Sequence, residues 1–134
     1  MLKFTKQQSQ APLLLDRQAL IFDIEEHLAE QFPQMVAAVP RGYLWALINE
    51  SIRIALWLRI QDVEHIRFFC ALRWKFAPGF YREPRLWRIL TEAGRTEAAR
   101  MEALGDPEME RAWQAAIAAR NPAHWDDQPE TLAQ

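Results

Sequence analysis

Eight prolines and four glycines cut the 134-residue chain into short segments, and within most of those segments apolar residues recur at three- and four-residue spacing. That period marks one face of a helix, whereas a half-buried strand needs strict alternation, which no segment shows. The first stripe, Ile21, Ile24, Leu28 and Phe32, belongs to a helix that starts at Leu13 or Asp16 and is stopped by Pro33. Residues 34–39 are a loop or a single helical turn. Pro40 stands at the head of a second helix over 41–58, in which Leu44, Leu47, Ile48, Ile52, Ala55 and Leu56 are joined by Tyr43, Trp45, Ile54, Trp57 and Leu58 until nearly every face is apolar.

The same punctuation divides the second half of the chain. Asp62 offers an N-cap for a third helix over 63–76, rich in aromatic residues, and Pro78-Gly79 ends it in a turn. Pro84 opens a fourth helix as far as Ala93, Gly94 breaks it, and a fifth over 96–104 is closed by Gly105 as a left-handed cap. Asp106-Pro107-Glu108 combines a cap, a first-turn proline and an acidic first turn, and opens a sixth helix that runs to Arg120 before Asn121-Pro122. The expected fold class is all-α: a compact bundle of about five to six helices with two largely buried central ones. The expected organisation is an N-terminal arm over 1–12, a single helical domain over 13–121 and a flexible C-terminal tail over 122–134.

Composition bounds the setting. Half of the residues are apolar and six are tryptophan, too much hydrophobic material for a disordered chain, and the length suffices to bury a core without a metal or a disulfide. Cys70 is the only cysteine, so no intrachain disulfide forms and a reducing, cytoplasmic location is expected. The run Leu13-Leu14-Leu15 is cut by Asp16 and Arg17, which is no signal-peptide core, and Glu50, Arg53 and Arg59 interrupt the most apolar segment well short of the roughly 18 residues of a membrane span. A net charge of −2 gives no global reason to expect nucleic acid or anionic lipid as a partner.

The candidates for chemistry fail one by one. His65 and Cys70 lie on one helix but point about 140° apart, and a free cysteine beside Phe68, Phe69 and Leu72 has the surroundings of a core residue. Glu26, His27 and Glu30 share a helical turn, yet the di-metal bundles built from Glu-x-x-His need that motif twice, so these residues read as a solvated acidic face. Asn49-Glu50-Ser51 fits the glycosylation pattern but falls inside the most apolar helix of a chain without a secretory route. Phosphate-cradling glycine loops, zinc-finger spacings and serine-nucleophile elbows are absent from the sequence. No catalytic residue, cofactor or metal ligand is expected.

Charge is distributed unevenly. Arg67, Arg73, Lys75, Arg82, Arg85 and Arg88 face only Glu83 in the segment 67–88, whereas beyond residue 101 Arg111 and Arg120 face Glu102, Asp106, Glu108, Glu110, Asp126, Asp127 and Glu130. Either the two regions neutralise each other within the molecule, or the basic segment with its aromatic residues docks an acidic protein partner. The second reading assigns protein binding to Arg67, Arg73, Trp74, Lys75, Phe80, Tyr81, Arg82, Arg85, Trp87 and Arg88.

Residues 53–90 also carry a resemblance. A helix end with alanine and arginine leads through Ile60, Asp62 and Val63 into an aromatic helix, followed by Phe76, Phe80 and Pro84 and a helix with Ile89-Leu90. This is similar to a pattern in small helical proteins encoded beside effectors of the bacterial type VI secretion system. Arg59 stands where that pattern has a glycine, and Ala77 where it has a second, with Gly79 two residues later. The resemblance implies gene neighbourhoods with VgrG spikes, PAAR tips and adaptor chaperones, and no catalytic residues. The expected function is a non-catalytic, protein-binding adaptor or co-chaperone for a secretion effector; the alternative is an immunity protein that neutralises a toxin by binding it.

Overall fold

The computed structural model describes residues 16–133, so the N-terminal arm expected over 1–12 lies outside the described residues. Among those residues there are α-helices and short 3-10 turns but no strand. Helix α1 (Arg17–Gln31) starts where Asp16 accepts a hydrogen bond from the Ala19 amide, satisfying one of the donors a helix start leaves open. Pro33 stops it and, with its fixed φ and missing N–H, opens α2 (Pro33–Ala37) at once. Helices α3 (Arg41–Trp57) and α4 (Val63–Lys75) follow, the second capped by Asp62 through the Glu64 amide. Then come α5 (Pro84–Leu90), α6 (Glu97–Leu104), α7 (Glu110–Ala118) and α8 (Pro129–Leu132).

Helices α3 and α4 are the central pair. They bury Leu44, Leu47, Ile48, Ile52, Ile54 and Ala55 from one and Val63, Ile66, Phe69, Cys70, Leu72 and Trp74 from the other, with α1 packed on both through Leu20, Ile21, Ile24 and Leu28. Apolar burial of this kind is worth roughly 1.5–3 kcal/mol for each large side chain enclosed, which is what holds helices this short in place.

The all-helical class is as expected, but the expected details differ in four places. Eight α-helices are present among the described residues instead of five to six, because Pro33 and Pro129 each begin a short helix. The fourth expected helix ends at Leu90, not Ala93. Gly105 has φ −93 and is no left-handed cap; the turn after it begins as a 3-10 turn, Pro107–Met109, and becomes α-helical only at Glu110. Residues 122–133 are not a free tail: a 3-10 segment, Pro122–Asp126, and α8 lie against the body, with Asp127 buried.

One non-glycine residue among those described has a positive φ, and it is Arg59, at 63°. The Arg59 amide donates to the Leu56 carbonyl and the Ile60 amide to the Ala55 carbonyl, both at 2.9 Å. That pair of bonds is the Schellman ending, which places its left-handed residue where Arg59 stands, the position usually filled by glycine.

The joint after α3 is then locked by α6. Arg100, only 3% exposed, donates Nη1 to the carbonyls of Leu58 and Leu90 at 2.9 and 2.6 Å and Nη2 to that of Arg59 at 3.0 Å. One guanidinium therefore satisfies carbonyls at the ends of two helices, α3 and α5. Glu97, one turn earlier, accepts from the amides of Gln61 and Asp62 at 2.7 and 3.0 Å and sits 2.6 Å from His65 Nδ1.

Candidate functional site

The ten residues assigned to protein binding do not form one surface. Phe80 and Tyr81 are core residues, Trp74 is buried, and Arg73 is 1% exposed. Arg73 donates Nε to the Pro78 carbonyl (2.7 Å), Nη1 to Ser51 Oγ (2.7 Å) and Nη2 to the His124 carbonyl (2.8 Å), and its guanidinium lies 4.7 Å from the Trp125 ring centre. Arg67 is bound through two nitrogens to Asp23 on α1 at 2.6 and 2.9 Å. Arg82 is bound in the same way to Asp127, and Arg85 through Nε alone to Glu83. Trp87 is half-buried against Trp57, while Lys75 and Arg88 stay exposed.

Part of the basic segment meets the chain's own C-terminal segment, through Arg82 and Asp127. Asp127 accepts Tyr81 Oη at 2.6 Å besides the Arg82 fork, Trp125 packs on Trp74 with ring centres 4.9 Å apart, and Glu130 pairs with Arg53 of α3. Burial alone would raise the Asp127 pKa, but the hydrogen bonds from Arg82 and Tyr81 prevail and hold it below the ordinary value. His124 rests on Gly79 so closely that a Cβ there would fall 2.4 Å from His124 Nδ1. Gly79 is thus required for a close approach and not for a special backbone angle.

A different surface is open. Helix α4 turns Arg67, Phe68, Ala71 and Lys75 outward at three- and four-residue steps, as the floor of a groove of about 720 Å³. Ile24 and Leu28 of α1 form one wall, and Leu104 and Trp113 at the corner between α6 and α7 the other. Trp113 is fixed by an Nε1–H bond of 2.7 Å to the Leu104 carbonyl and by ring contact with Phe76 at 4.8 Å. Phe68 is 42% exposed on this floor. Of the other exposed aromatic rings, Phe22 leans on Trp45 and Trp57 on Trp87, while Tyr43 lies on α3, away from the groove lining.

Against protein-family models, curated proteins and solved structures, the chain finds no match. Its function has to be argued from its own geometry.

That geometry gives the reactive side chains structural surroundings. Cys70 is buried, and burial pushes its thiol up to about 12, far from a thiolate at neutral pH. His65 meets Glu97, not Cys70. No group of three His, Cys, Asp or Glu side chains among the described residues is placed to hold a metal ion. Among those residues, too, no helix is long and apolar enough to cross a membrane.

The groove had one signal in the sequence. Phe68 and Phe69 are adjacent, and neighbours on a helix point about 100° apart, so one core cannot enclose both rings in the same way. Phe69 is buried and Phe68 is exposed. Arg100 and Glu97 had no such signal, because most of their partners are backbone groups 35 to 42 residues away in sequence.

Proposed function

We propose that the chain is a non-catalytic accessory protein, an adaptor or co-chaperone for a type VI secretion effector, acting in the cytoplasm by holding part of that partner in the groove over α4. The observation that carries the binding role is Phe68, a large aromatic side chain 42% exposed on the floor of a groove between α1 on one side and the corner of α6 and α7 on the other. Concave apolar sites rimmed by polar groups are where partners dock, and aromatic anchors supply most of the affinity. The secretion setting rests on the resemblance over residues 53–90. Supporting it is Arg59, which takes the left-handed conformation where the similar proteins have glycine.

The test is made in cells. Deleting the gene is expected to lower the level or the secretion of the effector encoded beside it, and Phe68→Glu on the intact chain is expected to reproduce that loss. Poisoning of the cell or its siblings without loss of secretion would replace this reading with the immunity role.

A further inference from the structure

The groove carries more information than its apolar floor. Its two long sides differ in charge. On the α1 side the cation that projects from α4, Arg67, is already neutralised by Asp23. On the other side, the corner between α6 and α7 exposes Asp106, Glu108 and Glu110, and none of the three has an ion pair among the described residues. Asp106 and Glu110 line the groove directly. Lys75 stands on the floor, over the Phe76 ring at 5.2 Å. The lip at the corner between α6 and α7 therefore carries two carboxylates, Asp106 and Glu110.

The floor has the dimensions of a helix. Helix α4 has 13 residues, so it is about 20 Å long. Ala71 lies between Phe68 and Lys75, where its small side chain lets another helix come close. An extended peptide would gain little here, because no strand among the described residues offers a sheet edge to pair with, and a bound strand would leave its own amides and carbonyls unmatched. A helix satisfies its backbone internally and needs only a matching stripe.

We infer that the groove takes an amphipathic helix of a partner protein, with apolar residues at i, i+3 or i+4, and i+7 against Phe68 and Ala71, and with lysine or arginine along the flank that meets Asp106 and Glu110. This rests on the protein-binding reading of the same groove and specifies the chemistry of the partner segment. The acidic lip would speed encounter and fix which way round the helix lies, while the apolar floor supplies the affinity.

Two synthetic peptides of roughly three to four helical turns test it. Both carry the same leucine stripe; one has lysines on a single flank and the other glutamates at the same positions. Fluorescence anisotropy with the full chain at low salt is expected to show the basic peptide bound about tenfold more tightly than the acidic one. Glu110→Lys should remove most of that preference, and Phe68→Glu should abolish binding of both peptides. Far-UV circular dichroism verifies that both variants remain folded. Equal affinities, binding of neither peptide, or unchanged binding by Phe68→Glu would overturn the inference. So would two other occupants: a dimer in sedimentation that Phe68→Glu dissociates, which assigns the groove to a second copy, or a preference that emerges only when Lys3 and Lys6 are reversed, which assigns it to residues 1–15. Equal binding through Phe68 discards the basic flank and leaves the accessory role intact; that role fails separately, if effector secretion in cells is indifferent to Phe68→Glu.

Discussion

Arg59 holds a left-handed backbone at φ 63 with its side chain in solvent. An L-residue there carries roughly 1–2 kcal/mol of steric strain that glycine avoids, partly offset by the greater freedom of glycine in the unfolded chain. Arg59→Gly is therefore expected to raise stability by about 1 kcal/mol, seen as a higher urea midpoint with an unchanged slope. A lower midpoint would show that the side chain has a role in the fold. Arg100 is the opposite case. It is a buried cation whose acceptors are carbonyls and not carboxylates, and it stays fixed because removing it would orphan three of them. Arg100→Met is expected to lose about 3 kcal/mol or more, and Arg100→Lys much of the same, since one ammonium cannot span the ends of two helices. A loss under about 0.5 kcal/mol would mean that water replaces the guanidinium without penalty.

At the level of elements, the C-terminal segment matters most. It runs from Asn121, which caps the 3-10 turn Pro122–Asp126, to α8, and it places His124 on Gly79, Trp125 beneath Arg73 and Asp127 between Tyr81 and Arg82. Ending the chain after Arg120 should lower stability by at least about 4 kcal/mol, because Arg73, Tyr81 and Arg82 lose their partners together. Gly79→Ala should cost roughly 1–3 kcal/mol by overpacking against the imidazole, and pairing it with His124→Ala should recover part of the loss. Additive losses in that double variant would contradict the contact. The helical segments were legible in the sequence because caps and prolines are local: Asp62 accepts the Glu64 amide as its position predicts, and Pro84 opens α5. The C-terminal segment differs from the expected tail for the complementary reason. Pro122, Asp126 and Gln128 have the local signals of a loop, while what fixes the segment is bonding to residues 45 and 46 positions away, which no local pattern encodes. The same separation leaves internal pairing and an external surface equally open for the basic segment, part of which faces the acidic end of its own chain.

For the molecule as a whole, these internal pairs make stability depend on pH. Burial first, then the neighbouring Arg82 and Arg73, lower the pKa of His124 beneath its ordinary 6.5, so the fold holds it neutral. A group depressed in this way contributes stability that is complete above its unfolded pKa and disappears as pH falls through its folded one. Asp127 and Glu97 are also depressed, from 3.8 and 4.5, because hydrogen bonds outweigh the opposing effect of burial. Stability should thus be level above about pH 7, decline below 6.5, and fall further below 4 as the carboxylates protonate. Urea unfolding of His124→Gln should lack the first decline and keep the second; a wild-type curve that is flat down to pH 5 would contradict the assignment.

On the proposed reading the α4 groove, and not the basic segment, is the working surface of the protein. The most direct measurement is the affinity of the full chain for the proposed effector partner, compared between Phe68→Glu and the double charge reversal Arg85→Glu with Arg88→Glu. Phe68, Arg85 and Arg88 are exposed, but Arg85 also pairs with the Glu83 carboxylate that caps α5, so far-UV circular dichroism verifies that both variants remain folded. The account predicts that Phe68→Glu weakens binding by about a hundredfold, the loss of a central aromatic anchor, while the arginine reversals change it less than about threefold. Binding that survives Phe68→Glu but is lost with Arg85 and Arg88 would contradict it.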